Sequence, residues 1–153
     1  MATFQPLASA AHAALITEGE DVWAVVDPGW LRQVLLNLLD NALKYGPAGQ
    51  TIRIRLSSAE GRARISVQDE GGGVPASHRE RIWMPYVRLA HNLRAERGGT
   101  GLGLTVVREL VDAMHGRVWV EDAPGGGAAF IVEWALAHPP AATADVPVAG
   151  VSS

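Results

Sequence analysis

No cysteine occurs among the 153 residues, so neither a disulfide framework nor a zinc site built on thiolates is available to the chain. That absence suits a reducing, cytoplasmic setting. A basic excess is also missing: 13 Lys and Arg stand against 16 Asp and Glu, for a net charge of -3. Without a basic stripe or polybasic patch, nucleic acid is not an expected partner and an anionic membrane surface is not an expected anchor. No apolar run approaches the roughly 18 residues of a membrane span, and the alanine-rich start lacks the basic leader of a signal peptide. What remains is the length and composition of one soluble domain, large enough to bury a core without staples.

The most informative stretch is Trp30 to Tyr45, WLRQVLLNLLDNALKY. At about 100° per residue, Leu31, Val34, Leu35, Leu38, Leu39 and Ala42 fall on one arc, the pattern of a helix packed on a core. Asn37, Asn41 and Lys44 fall beside that arc, with Tyr45 at its edge, so two amides, an ammonium and a ring face one neighbouring cavity. Asp27 can cap the first turn and Pro28 suits the first helical position. Gly46-Pro47 ends the helix.

Around this helix, Phe4 to Ala11 reads as the end of a helix, and His12 to Thr17 and Val22 to Val26 as short strands broken at Glu18-Gly19-Glu20-Asp21. Thr51 to Ser57 and Arg62 to Gln68 alternate apolar and polar residues about the turn Glu60-Gly61, which makes a hairpin. Ser77 to Trp83 is expected to be a short helix, and Arg88 to Gly99 a polar, mobile segment. A second amphipathic helix covers Leu102 to His115 and closes at Gly116. Arg117 to Glu121 and Ala128 to Ala135 pair about Pro124 to Gly127, and the tail beyond His138 has the composition of disorder. Two hairpins among interleaved helices predict an α/β two-layer sandwich: a mixed, largely antiparallel sheet with helices on one face. The expected division is residues 1–11 as a remnant of a preceding helix or linker, 12–137 as the domain, and 138–153 as a disordered Pro/Ala-rich tail.

Two glycine loops stand at the ends of elements. Gly98-Gly99-Thr100-Gly101-Leu102-Gly103 opens a helix, where bare backbone N–H groups and the helix dipole favour phosphate. Asp69-Glu70-Gly71-Gly72-Gly73 follows a strand, where a carboxylate can accept from an exocyclic amine such as adenine's and the glycines let a flat base lie close. Gly71-x-Gly73-x-x-Ala76 also meets a loose dinucleotide fingerprint. Its context is wrong: Asp69-Glu70 separates it from the strand, Pro75 interrupts it, and Glu96 lies in a polar loop. No Gly-x-x-x-x-Gly-Lys-Ser/Thr occurs, so the chain has no P-loop.

Taken in order, Asn37-x-x-x-Asn41 with Lys44-Tyr45, then Asp69-x-Gly71-x-Gly73, Trp83-Met84-Pro85-Tyr86, and Gly99-Thr100-Gly101-Leu102-Gly103-Leu104, the chain resembles the catalytic ATP-binding domain of two-component sensor histidine kinases over Val22 to Trp134. The resemblance implies the Bergerat-type sandwich shared with type II topoisomerases, mismatch-repair ATPases and heat-shock chaperones. It implies ATP as substrate and Mg²⁺ as cofactor. Asn41 would be the metal ligand, Asn37 a second polar contact near metal and phosphates, Lys44 a phosphate charge, and Tyr45 a flank to the nucleotide. Asp69 would read the adenine amine beside Gly71 and Gly73. Gly99, Thr100, Gly101, Leu102 and Gly103 would hold the phosphates, under a lid from Pro85 to Gly99 with Arg88, Arg94 and Arg97 as its cations. Trp83 and Tyr86 replace the family's usual phenylalanines.

None of His12, His78, His91, His115 or His138 lies in the family's phosphoacceptor setting. The resemblance therefore implies a monomeric domain whose acceptor histidine sits on a separate dimerisation domain, with a response regulator acting downstream. The whole kinase can be membrane-bound with this portion in the cytoplasm. Asn37 favours transfer over hydrolysis, because the ATPase relatives carry a water-activating glutamate there and an amide takes no proton. Within the superfamily, the rivals are an anti-sigma-factor type of serine kinase and a nucleotide-responsive module without catalysis.

Overall fold

The computed structural model describes residues 13–84 and 103–137. Strands β1 (Ala14–Gly19), β2 (Thr51–Ala59), β3 (Arg62–Gln68), β4 (Arg117–Asp122) and β5 (Ala128–Ala135) form one sheet. Helices α1 (Pro28–Tyr45) and α2 (Gly103–Ala113) pack together on one face of it. The strand order is β1-β2-β3-β5-β4; β1 runs parallel to β2 and every other neighbouring pair is antiparallel. The mixed two-layer sandwich expected from the sequence is therefore the fold.

The arc read on α1 is the core. Leu31, Val34, Leu35, Leu38, Leu39 and Ala42 are all buried, against Ile52 and Ile54 of β2, Ile65 and Val67 of β3, Phe130 and Val132 of β5, and Val107 and Val111 of α2. Full burial of a leucine side chain contributes about 1.5–3 kcal/mol, so this one helix face anchors the domain. Its start is fixed by Asp27, whose Oδ1 accepts from the Trp30 N–H at 3.0 Å, with Pro28 in the first turn. Among the described residues no helix is long and apolar enough to cross a membrane.

Four details differ from the sequence reading. β1 continues through Glu18 and Gly19, because Glu18 and Gly19 pair with Arg55 and Leu56, and the Glu20 N–H still bonds the Leu56 carbonyl. Val22 to Val26 is not a strand: its alternation buries Val22 and Ala24, but among the described residues its backbone finds no ladder beyond the Trp23 carbonyl, which accepts from the Ala137 N–H. Ser77 to Trp83 is two short 3-10 turns, Ala76–His78 and Arg81–Trp83, since the segment is below helix-nucleating length and buries only Ile82 and Trp83 at its end. The left-handed residue that closes α2 is His115 (φ 63°), one position before Gly116. The His115 N–H bonds the Asp112 carbonyl and the Gly116 N–H bonds that of Val111, the paired bonds of a Schellman cap.

The expected helix end within 1–11, the polar segment Arg88 to Gly99 and the tail 138–153 lie outside the described residues.

Candidate nucleotide site

The site lies where the C-terminal half of α1 meets the end of β3. Asn37, Asn41, Lys44 and Tyr45 are half-buried beside the packed arc, as the helical spacing requires. The Asn37 Oδ1 accepts from Gln33 Nε2 at 2.7 Å, and its Nδ2 donates to the Gly103 carbonyl at 3.1 Å, joining α1 to the first turn of α2. Asn41, one turn on, has no side-chain hydrogen bond within the described residues. Lys44 does not point freely into the cavity: its Nζ pairs with Asp40 Oδ2 at 2.9 Å. A phosphate contact by Lys44 would have to compete with that carboxylate.

Asp69 closes the opposite side. Only 7% exposed, it follows the last residue of β3, and its N–H is held by the Ala128 carbonyl at 3.0 Å. Its Oδ1 accepts from the Gly71 N–H at 2.9 Å and from the Ala128 N–H at 3.0 Å. No hydrogen bond reaches Oδ2 within the described residues. Burial raises the carboxyl's pKa from its ordinary 3.8, and the N–H groups of Ala128 and Gly71 pull against that rise. The result is a carboxyl with one oxygen fixed by backbone and, among the described residues, no partner for the other.

Two glycines make this cradle possible by what a side chain would strike. A Cβ on Gly71 would come within 2.9 Å of the Tyr45 carbonyl and 3.3 Å of Asp69 Oδ1, so the loop lies directly against the end of α1. A Cβ on Gly127 would sit 2.1 Å from the Asp69 carbonyl oxygen, and Gly127 also adopts φ +87°. Sequence reading took Gly127 for an ordinary turn residue. Its only signal was a glycine run longer than a tight hairpin turn demands. Gly73 has its own left-handed φ of +76° and faces Gly127 across the loop.

Gln50 and Thr105 are further residues that the sequence did not single out. The Thr105 Oγ1 donates to the Trp83 carbonyl at 2.8 Å, and the buried Trp83 ring meets Phe130 edge-on at 6.0 Å. Trp83 is thus a core residue that ties its segment to α2 and β5. Of the expected phosphate residues, Gly103 is the first described residue of α2, and its carbonyl accepts from Asn37. Tyr86, Arg88, Arg94, Arg97, Gly99, Thr100, Gly101 and Leu102 lie outside the described residues.

Residues 26–138 match the family of histidine kinase-, DNA gyrase B-, and HSP90-like ATPases. The chain belongs to this family. Within it, similarity runs to sensor histidine kinases. The adaptive-response sensory kinase SasA of Synechococcus sp. (strain JA-2-3B'a(2-13)) is 43% identical over 106 residues, which are 69% of this chain and 28% of that protein. The chain therefore spans little more than a quarter of that curated relative. A mycobacterial sensor histidine kinase, MprB, superposes with a TM-score of 0.74 at 25% identity, covering 88% of this chain and 90% of the MprB chain. Full-length ShkA in complex with AMPPNP superposes at 0.73 with 33% identity, covering 90% of this chain and 28% of the ShkA chain.

Proposed function

We propose that this chain is the catalytic part of a sensor histidine kinase, which binds ATP with Mg²⁺ and presents the γ-phosphoryl to a histidine on a separate dimerisation domain, for relay to a response regulator. The observation that carries the reading is Asp69: buried, held through Oδ1 by the N–H groups of Gly71 and Ala128, and with no hydrogen bond to Oδ2 within the described residues. An adenine amine donates a hydrogen bond and needs such an acceptor. ShkA, a relative in fold and sequence, has been solved with an ATP analogue.

The residues fit a magnesium nucleotide. Mg²⁺ prefers oxygen ligands and keeps waters beside phosphate oxygens, so the amide oxygen of Asn41 would suffice as the protein's direct donor. When bound, the ion would neutralise phosphate charge. Asn37 would hold the helix pair together beside the phosphates, and the backbone N–H groups from Gly99 to Gly103, with Thr100 and Leu102 among them, would cradle the anion at the start of α2. Lys44 would add its charge on release from Asp40, Tyr45 would flank the nucleotide, and Arg88 would supply a further cation.

With little covalent work required, catalysis rests on alignment. The acceptor imidazole's nitrogen lone pair forms the P–N bond while the bond to the ADP oxygen breaks, and ADP leaves with that electron pair. The imidazole's surplus proton passes to solvent. No group of this chain needs to deprotonate water, in keeping with an amide at position 37. The isolated domain, a monomer in this reading, should hydrolyse ATP slowly.

The test is labelled ATP with this domain and a histidine-bearing dimerisation domain. Label on the partner that is lost in acid and kept in base supports histidine transfer. Acid-stable label would indicate a serine kinase, binding without transfer a nucleotide-responsive module, and rapid hydrolysis by the domain alone would overturn the reading.

A further inference from the structure

We propose that Gln50 is a positioning residue that couples the two halves of the nucleotide site. Gln50 ends the short connection from α1 to β2, and it is only 2% exposed. Its Nε2 donates to the Ala42 carbonyl at 2.9 Å, and its Oε1 accepts from the Glu70 N–H at 3.1 Å. Ala42 adjoins Asn41 and Glu70 adjoins Asp69. One side-chain amide therefore spans the gap between the phosphate-facing helix and the loop that bears the adenine acceptor.

The surroundings hold that amide in place. Its backbone is fixed by the Ala14 N–H, which donates to the Gln50 carbonyl at 2.9 Å, and by its own N–H to the Pro47 carbonyl at 3.3 Å. Gly46 reserves its space, since a Cβ there would come within 2.2 Å of Nε2 and 2.4 Å of Oε1. Gly46 itself has an ordinary φ of -100°, so close approach to Gln50, not a left-handed turn, explains its lack of a side chain. A second link runs beside the first, from the Thr51 N–H to Glu70 Oε1 at 2.8 Å.

Only a group with a donor and an acceptor can serve both ends. Glutamate would set an acceptor against the Ala42 carbonyl; leucine would leave the Glu70 N–H without its partner. ATP must engage both elements at once, so its affinity depends on their spacing, whereas a ligand that reaches one element does not sense it. This inference rests on the reading that ATP spans α1 and Asp69.

The experiment compares the parent with Gln50→Leu for three probes: adenosine, magnesium tripolyphosphate, and ATP with Mg²⁺. Loss of preorganisation should weaken ATP by about tenfold while adenosine and tripolyphosphate change little. Thermal unfolding should remain cooperative. Equal weakening of all three probes would mean a purely structural role, and unchanged ATP binding would remove the coupling. A parent that fails to bind ATP would overturn the nucleotide reading itself. Should Gln50→Leu not fold, amide hydrogen exchange at Glu70 in the parent decides. Protection that rises when ATP binds but not with adenosine alone supports the link, and exchange at an open-loop rate in both states contradicts it.

Discussion

Asp69, just past the end of β3, and Glu133, on the neighbouring β5, are both buried carboxylates, and they are handled in opposite ways. Glu133 lies on the face of β5 away from the helices, where its Oε2 accepts from Arg64 Nε at 2.7 Å and its Oε1 faces Arg117 Nη1 at 3.7 Å. The two guanidinium groups in turn flank the Trp119 ring at 5.3 and 5.4 Å. Asp69 meets backbone N–H groups alone within the described residues, and one of its oxygens is left over. A buried carboxylate with both oxygens answered by cations is structure. One that is held by neutral donors, raised in pKa by burial and without a second partner among the described residues carries a charge that works against the fold, which is what the proposed role of Asp69 as base acceptor would exploit.

The strongest way to break the contrast is Gly127→Ala. The new Cβ would meet the Asp69 carbonyl at 2.1 Å in a left-handed backbone, so stability measured in urea should fall by about 3 kcal/mol. Nucleotide binding should go with it, since Asp69 loses its cradle. A variant as stable as the parent would show that the loop is not packed on Asp69.

Glu133→Gln should cost less, about 1–3 kcal/mol of stability, because it weakens charged hydrogen bonds but leaves Arg64 and Arg117 partly solvated. ATP affinity should not change. An effect on ATP affinity in the fully folded variant would mean that the two carboxylates are not separable.

The smallest effect is in the pH dependence. Because the folded pKa of Asp69 is raised, the native state binds its proton to higher pH than the unfolded chain, and this group's contribution to stability falls as pH rises from about 3.8 through the folded value. Asp69→Asn has no such proton. Without nucleotide, the variant should therefore gain on the parent as pH rises through that window, and the difference between them should level off to a constant as pH falls below 3.8. A constant difference between their unfolding free energies across the range would remove the burial penalty from the account.

The placement of much of this candidate site could be read from residue order. The Asp27-Pro28 start, the leucine spacing and the amides at 37 and 41 placed α1 and its polar edge, because a helix face is a local, periodic property. Asp69 was legible because it directly follows an alternating strand. Gln50 and Gly127 were not, since each matters through a contact with a residue 20 or more positions away in sequence or across the sheet. Val22 to Val26 misled for the same reason: alternation reports burial, but a strand also needs a backbone partner, and among the described residues only Trp23 finds one. The Lys44 and Asp40 pair was present in the i, i+4 spacing and went unread because a phosphate role was assigned to Lys44 instead.

The most direct test of the account is calorimetric titration of ATP and inosine triphosphate into the parent and Asp69→Asn. Inosine carries a carbonyl oxygen where adenine carries the amine, so the parent's acceptor should favour ATP by about 1–3 kcal/mol. Asparagine keeps an oxygen for Gly71 and Ala128 and turns its NH₂ to the ligand, which should erase or reverse that preference. Equal discrimination by both proteins would contradict Asp69 as the reader of the base.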